Sequence, residues 1–130
     1  MGASEEFAVS AQAGIGLNHL QTILKELKEY QFEEKVGSAV LFREPIGVCG
    51  LITPWNWPMN QITLKVGACL AVGATCILKP SEFTPTSAVI FGEILEKAQV
   101  PNGVFNLVHG TGPVVGVALV RIVAYVFVSV

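Results

Sequence analysis

Three short apolar runs, each rich in strand-forming residues, constrain the fold of this chain more than any other feature of its sequence. They lie at 46–53, 75–79 and 104–108, and each one stops at a proline or at a glycine-bearing turn. A continuous apolar run of this length between turn signals is typical of a strand that is covered on both faces. The sequence therefore predicts three buried strands.

Helical segments separate these predicted strands. One extends from Asn60 to about Val72 and stops at Gly73, a residue type that commonly ends a helix. The other starts at Thr84 and Pro85, an N-cap followed by proline at the first helical position. Strands that alternate with helices need right-handed crossovers and pair in parallel. We therefore predict an α/β fold in the order βαβαβ, a partial doubly wound, Rossmann-like parallel sheet.

An amphipathic helix is predicted before the sheet. Its apolar residues recur at steps of three and four: Leu20, Ile23, Leu24 and Leu27. Gly14 and Gly16 precede them, and because a glycine costs about 1 kcal/mol in a helix interior, we expect them to loosen or interrupt the helix towards Glu5. A short strand at 38–43 follows and stops before Pro45.

Composition and charge exclude several functions. Only 14% of the residues are charged and the net charge is -2, so nucleic acid is not an expected partner. The apolar stretch 114–130 is shorter than the roughly 20 residues that a spanning helix needs, and Arg121 lies near its centre. We expect a buried or aggregation-prone segment there and no membrane helix. Residues 1–6 hold no secretory signal, and the three cysteines lack zinc or disulfide spacing, so the cytoplasm is the expected compartment.

The stretch of greatest chemical interest follows the first predicted strand and is named here the PWNWP loop (residues 54–58). Two tryptophans and two prolines around Asn56 make the loop stiff. An asparagine held in this way can donate its amide N–H to a developing oxyanion, and losing such a donor costs about 3 kcal/mol in acyl chemistry. The alternative is an aromatic corner of the core with Asn56 as a turn residue, which composition alone favours.

The KPSE segment (residues 79–82) directly follows the second predicted strand. In dinucleotide-binding folds an acidic residue near this position hydrogen-bonds a ribose hydroxyl, and Lys79 could bind the same sugar or a phosphate. Alternatively, Lys79 extends its apolar stem along the strand end while Glu82 stabilises the next helix through the helix dipole. The residues leave both interpretations open.

A glycine-bearing turn follows the third predicted strand. Its glycines at 110, 112 and 116 resemble a phosphate-binding turn but miss the GxGxxG spacing, so the pattern is weak evidence by itself. His109 is a turn residue or a ligand, and we expect His19 to be a partly exposed packing residue. Ligands bind beyond the carboxyl ends of parallel strands, so the segments 53–57, 79–82 and 109–112 are expected to converge at one edge.

The three cysteines are expected to be small buried hydrophobes. Cys49 and Cys76 lie in predicted strands and Cys69 lies in a predicted helix between apolar neighbours. A nucleophilic cysteine needs an accessible, electropositive setting, which these positions do not offer.

Taken together, four stretches are similar, in order and spacing, to successive landmarks of the aldehyde dehydrogenase superfamily. They are 43–48, 54–58, 77–82 and 101–108. The likeness covers about 7–119. It implies a strand of the oligomerisation arm, a possible homo-oligomer and the first βα units of the cofactor domain. We therefore divide the chain into an N-terminal helical segment (1–37), a partial NAD-binding domain (38–119) and a divergent apolar tail (120–130).

The resemblance also implies site residues. Asn56 would be the side-chain donor of an oxyanion hole, and Trp57 would face the aldehyde tunnel. The implied cofactor-binding residues are Ile52, Thr53, Pro54, Trp55, Lys79, Ser81, Glu82 and Gly112. Lys79 and Glu82 would bind the adenosine ribose, and because Glu82 would repel a 2'-phosphate, NAD is favoured over NADP. Gly112 would let the backbone approach the adenine.

In this family a cysteine attacks the aldehyde, hydride passes to the nicotinamide, and a glutamate activates the water that releases the acid. None of the three cysteines falls on the nucleophile's motif, and no acidic residue follows Glu96. We therefore expect NAD-dependent oxidation of an aldehyde to a carboxylic acid as the parent reaction, and a truncated chain that is inactive alone. The alternatives are a non-catalytic nucleotide-binding module and a chain that associates with itself or a homologue through an exposed sheet edge.

Overall fold

The computed structural model describes residues 2–122 and 128–129. Its first feature is a helical rod of three consecutive pieces: α1 (Glu5–Phe7), a π-helical turn (Ala8–Ala13) and α2 (Gly14–Glu29). The predicted amphipathic helix is confirmed. It runs through Gly14 and Gly16 without a break, and the change expected towards Glu5 is the switch to π-helical hydrogen bonding just before Gly14. A Cβ built on Gly16 would lie 3.3 Å from the Met59 Cβ, so this glycine allows close packing between helices. That packing outweighs the low helix propensity of glycine.

An antiparallel hairpin follows the rod. β1 (Glu33–Val36) pairs with β2 (Ala39–Phe42), and Gly37 adopts a φ of +62° in the turn between them. The predicted strand at 38–43 corresponds to β2. Sequence patterning missed β1 because three of its four residues are charged and give no apolar run. The hairpin crosses the predicted boundary at residue 37, and the proposed division of the chain stays a prediction.

The predicted alternation of strands and helices is confirmed. β3 (Val48–Ile52) leads into α3 (Pro58–Ala71), β4 (Thr75–Lys79), α4 (Pro85–Lys97) and β5 (Phe105–Leu107). β4 pairs in parallel with both β3 and β5. The fold is therefore α/β, with a parallel sheet of the Rossmann-like type.

The last described elements reverse the direction of winding. A second π-helical turn (Gly112–Gly116) runs into α5 (Val117–Ile122), and β6 (Val128–Ser129) pairs in parallel with β3. The strand order β5-β4-β3-β6 means that the chain moves outward from β3 and then returns to its other side. Because such crossovers are right-handed, α3 and α4 cover one face of the sheet and α5 the other. The switch point lies between β3 and β6, which is where ligands bind in such sheets.

Much of the predicted apolar tail, residues 123–127 and 130, lies outside the described residues. Among the helices that the structure describes, none combines the length and apolarity that crossing a bilayer requires.

The core lies between the main sheet and the helices α3 and α4. The largest buried apolar side chains are at most 2% exposed: Leu51, Ile62, Val66, Leu78 and Phe91. The rod crosses α3 closely at Gly67, where an added Cβ would lie 2.8 Å from the Ile23 Cδ1. This crossing holds the rod against the second half of α3, while Gly16 lies against Met59 near the start of that helix.

Candidate functional site

The PWNWP loop and the KPSE segment leave the sheet side by side. Ile52 lies opposite Lys79 in the parallel register of β3 and β4, and the Thr53 N–H donates to the Lys79 carbonyl at 3.2 Å. The Val108 N–H donates to the Leu78 carbonyl at 3.0 Å, which brings the turn after β5 to the same edge. The structure therefore brings the three segments singled out from the sequence to one edge of the sheet.

The KPSE segment is built around a buried lysine. Lys79 is only 2% exposed; its Nζ donates to the Pro80 carbonyl at 2.9 Å and lies 3.2 Å from Glu82 Oε2. The other Glu82 oxygen accepts from the Gly112 N–H at 3.4 Å. The pKa of Glu82 is lowered, first by its own backbone N–H and then by Lys79. Glu82 is thus a carboxylate at neutral pH that joins two segments of the site.

This arrangement bears on the alternative interpretation of the KPSE segment. The Glu82 carboxylate bonds to Lys79 and Gly112, while Thr84 occupies the N-cap of α4. Ser81 is buried, and its Oγ accepts from the Phe83 N–H at 3.3 Å, which shapes the turn between β4 and α4. The carboxylate is therefore held at the sheet edge rather than at the first turn of α4.

A cavity of about 420 Å³ opens beside Glu82. Its lining combines apolar and polar groups: Pro80, Glu82, Pro85, Thr86, Val89, His109 and Gly110. Gly110 has a φ of +150°, and a Cβ there would overlap the Val115 side chain. Gly110 is therefore the position in this turn that requires glycine, whereas a Cβ on Gly112 would meet open space. The sequence singled out the turn but could not separate these two glycines, because only the backbone conformation distinguishes them.

A second cavity, of about 400 Å³, lies at the end of β3 near the switch point. It is lined by Ile52, Gly112, Gly116, Val117, Val120 and Arg121. Gly112 lines this cavity while its N–H reaches Glu82, which lines the first cavity. Both cavities have mostly apolar walls, and the Glu82 carboxylate lines the first of them. A carboxylate that accepts hydrogen bonds, a neighbouring ammonium and a glycine that leaves the cavity open fit a dinucleotide.

The PWNWP loop projects away from the core. Asn56 is exposed, Trp55 is 50% exposed, and Trp57 is partly buried against the ring of Phe7, with 5.4 Å between ring centroids. Within residues 2–122 and 128–129, no protein group forms a hydrogen bond with the Asn56 side-chain amide. An aromatic corner of the core therefore does not describe this loop. The amide is left available to a ligand.

Sequence reasoning missed two residues that hold the site from outside these segments. Gln12, in the π-helical turn, is 8% exposed, and its Nε2 donates to the Asn56 carbonyl at 3.2 Å. Lys65, in α3, donates from Nζ to the Ile52 carbonyl at 2.9 Å, and burial lowers its pKa. The available signal was a single polar side chain among small or apolar neighbours, at 11–13 and at 64–66. Such a pattern indicates that the polar side chain is buried, but it does not predict which group the side chain bonds to.

The sequence profile of the Aldehyde dehydrogenase family matches residues 3–130. The chain belongs to the aldehyde dehydrogenase family. The family match thus extends beyond residue 119, where the resemblance seen in the sequence ended.

Individual relatives agree with this assignment. A 3-succinoylsemialdehyde-pyridine dehydrogenase from Pseudomonas sp is 53% identical over 114 residues, which are 88% of this chain and 24% of the relative. An aldehyde dehydrogenase crystal structure from Bartonella henselae has a TM-score of 0.88 at 49% identity, covering 92% of this chain and 26% of that one. A mutant of aldehyde dehydrogenase C from Pseudomonas syringae, complexed with NAD+ and octanal, has a TM-score of 0.87 at 47% identity, covering 89% and 24%. This aldehyde dehydrogenase chain spans about a quarter of the length of the relatives it matches.

The three cysteines of this aldehyde dehydrogenase chain are free and buried, as predicted. Cys49 and Cys76 lie opposite each other in β3 and β4. Burial raises the pKa of Cys49 to about 11, and a hydrogen bond with Cys76, together with burial, raises the pKa of Cys69. The hydrogen bond with Cys69 lowers the pKa of Cys76 instead, but Cys76 is fully buried. Cys49 and Cys69 are therefore poor nucleophiles because they stay protonated at neutral pH, and Cys76 because a substrate cannot reach it.

Proposed function

We propose that this chain supplies the NAD cleft and the oxyanion donor of an enzyme that oxidises an aldehyde to a carboxylic acid. The observation that carries the proposal is the Glu82 carboxylate, which is held between Lys79 and the Gly112 N–H; Glu82 lines the first cavity and Gly112 lines the second. The Pseudomonas syringae relative complexed with NAD+ and octanal supports the assignment of both cofactor and substrate class.

Glu82 and Lys79 would hold the adenosine ribose. A carboxylate accepts hydrogen bonds from both ribose hydroxyls, and the lowered pKa of Glu82 keeps it charged at neutral pH. The same charge repels a 2'-phosphate, so NAD is the proposed cofactor over NADP. The apolar walls at Pro85 and Val89 would take the adenine.

The other proposed cofactor residues lie along the path towards the end of β3. They are Ile52, Thr53, Pro54, Trp55, Ser81 and Gly112. When bound there, the nicotinamide supplies the acceptor for a hydride. Ile52 and Gly112 line the second cavity, and Lys65 fixes the carbonyl of Ile52.

Asn56 would donate its side-chain N–H to the oxygen of the aldehyde as negative charge develops there. Its support is the free amide on a loop stiffened by two prolines and two tryptophans, directly after β3. Trp57, packed on Phe7, would form a wall of the aldehyde tunnel. This loop polarises the substrate and does not react with it.

The nucleophile and the general base are proposed to come from outside these 130 residues. The described cysteines are buried and have no base beside them, and no acidic residue follows Glu96. We further propose that the chain acts in the cytoplasm as part of a homo-oligomer, with an aldehyde as the small-molecule partner.

Calorimetry with NAD and NADP tests the cleft. We expect NAD to bind the chain more tightly than NADP, and Glu82→Gln to weaken NAD binding by about tenfold, because hydrogen bonds to a charged group contribute about 1.5–3 kcal/mol. The matched control is Glu96→Gln, an exposed glutamate on α4. Equal affinity for the two cofactors, or wild-type affinity in Glu82→Gln, would contradict the proposal.

The same purified chain, supplied with NAD and simple aldehydes, should form no NADH. Turnover by the 130-residue chain would contradict the proposal and would mean that it contains a reacting group of its own.

A further inference from the structure

We propose that Gln12 is a positioning residue for the oxyanion donor. Gln12 belongs to the N-terminal rod (α1, the π-helical turn and α2) and donates a hydrogen bond to the Asn56 carbonyl. Through this bond the rod determines where the Asn56 side chain lies. This inference rests on the proposed role of Asn56. It adds to that role a residue that lies 44 positions upstream and belongs to a different structural element.

The hydrogen bond lies in the part of the loop between its two prolines. Pro54 and Pro58 fix the backbone torsion φ at both ends, and Pro58 is buried as the first residue of α3. Asn56 lies midway between them, and its carbonyl is the group that Gln12 holds at 3.2 Å. Fixing that peptide plane restricts the direction of the Cα–Cβ bond of Asn56, and so the place where its amide can point.

The π-helical turn brings two contacts to one face of the rod. Phe7 and Gln12 are five residues apart, which in an α-helix would separate them by about 140° around the axis. In a π-helix the hydrogen bonds run from i to i+5, so residues five apart lie on nearly the same side of the axis. Phe7 packs edge-on against Trp57 while Gln12 bonds Asn56, and both contacts therefore act on the same loop.

The same face continues into α2 and holds the start of α3. Gly16 approaches Met59, and His19 Nε2 lies 2.6 Å from Asn60 Oδ1. The rod is therefore fixed to the residues just after the loop as well as to the loop itself. Gln12, at 8% exposure, has little freedom to follow the loop if the loop moves.

The chain contains its own reporter for this contact. Its two tryptophans, Trp55 and Trp57, flank Asn56, so tryptophan fluorescence reports on this loop alone. In Gln12→Met the side chain keeps its length but loses its donor. Removing one ordinary hydrogen bond should raise about fivefold the fraction of molecules in which the loop has moved away from the rod. Acrylamide quenching of the tryptophans should rise with that fraction. Gln21→Met, an exposed position on α2, is the matched control and should quench like the wild type.

A second variant separates loss of the hydrogen bond from loss of packing. Gln12→Glu places a carboxylate, which cannot donate, beside the Asn56 carbonyl at neutral pH. Once protonated at low pH, the same side chain regains a donor. At neutral pH its quenching should therefore resemble that of Gln12→Met. As the pH falls and the carboxylate is protonated, its quenching should approach that of the wild type measured at the same pH.

These measurements test the positioning role of Gln12 independently of turnover. Quenching in Gln12→Met equal to that in Gln21→Met, or a Gln12→Glu signal that does not recover at low pH, would overturn it. If Gln12→Met loses helical circular dichroism, the pH response of Gln12→Glu alone decides whether the positioning role stands. Failure of the proposed function would instead appear in the NAD calorimetry, which does not involve this contact.

Discussion

The two segments that leave β3 and β4 side by side are held in different ways. The KPSE segment is shaped mostly by its own residues: Lys79 bonds to Pro80 and Glu82, one and three positions away. The PWNWP loop makes its side-chain contacts with an element far upstream, through Gln12 and Phe7. The segment proposed to bind the ribose of the cofactor is thus held mainly by contacts between neighbouring residues. The loop proposed to face the aldehyde depends on packing against the rod.

This difference predicts that the two segments can be disturbed separately. Changes around Glu82 should alter cofactor binding and leave tryptophan quenching unchanged. Changes along the face of the rod should raise tryptophan quenching, and they should affect cofactor binding only through Pro54 and Trp55, the two loop residues proposed to bind the cofactor. A hydrogen bond between Thr53 and Lys79 joins the two strand ends directly. A change in one segment can therefore still have a small effect on the other.

The largest expected effect is that of Gly110→Ala. A Cβ at this position would overlap Val115, and the φ of +150° is unfavourable for alanine, so we expect a loss of roughly 2–4 kcal/mol in the free energy of unfolding. Urea denaturation measures it, with Gly112→Ala as the matched control, whose stability should stay within about 0.5 kcal/mol of the wild type. Tryptophan quenching in the folded Gly110→Ala protein should not change. An increase would mean that the two segments are coupled more tightly than proposed.

A smaller effect is expected from Gly16→Leu. The new side chain would press against Met59 and Thr63, which lie 3.3 and 3.4 Å from a Cβ at this position. Overpacking of this kind costs typically about 1–3 kcal/mol, and here it should push the rod away from the loop and raise tryptophan quenching. Gly14→Leu is the control, because a Cβ on Gly14 meets nothing within 4 Å. If Gly16→Leu is destabilised but its quenching constant is unchanged, the proposal that the rod holds the loop in place is contradicted.

The smallest effect concerns Glu82 and pH. Its pKa in the folded chain is below the ordinary value of 4.5, so its contribution to stability is complete above that value and is lost as the pH falls through the folded pKa. The melting temperature of the wild type should therefore fall more steeply than that of Glu82→Gln once the pH drops below 4.5. Because the carboxylate is partly exposed, the difference will be small. Parallel curves for the two proteins would show that the Lys79–Glu82 pair contributes nothing to stability.

Much of the fold follows from patterns that are visible in the sequence. Strand runs, the Gly73 stop and the Thr84–Pro85 start placed β3, β4, β5 and the helices between them. Where the patterning failed, a particular physical effect was responsible. Helix packing kept the rod intact through Gly16, and backbone pairing formed β1 from charged residues without an apolar run.

The candidate site divides in the same way. Lys79 and Glu82 stand three residues apart, so the sequence already places them close together, and only the details of their bonds needed the structure. Gln12, Lys65 and Gly110 could not be identified beforehand, because their roles depend on which atoms a distant segment brings beside them.

The sequence by itself determined the alternation of strands and helices, the family and the chemical character of the two segments, because these depend on residue types at short spacing. Tertiary structure decided which glycine must be a glycine, which polar side chain supports Asn56, and how the rod meets the loop. Those properties depend on the approach of segments tens of residues apart, and such distances are set by the packing of the whole domain rather than by any local preference.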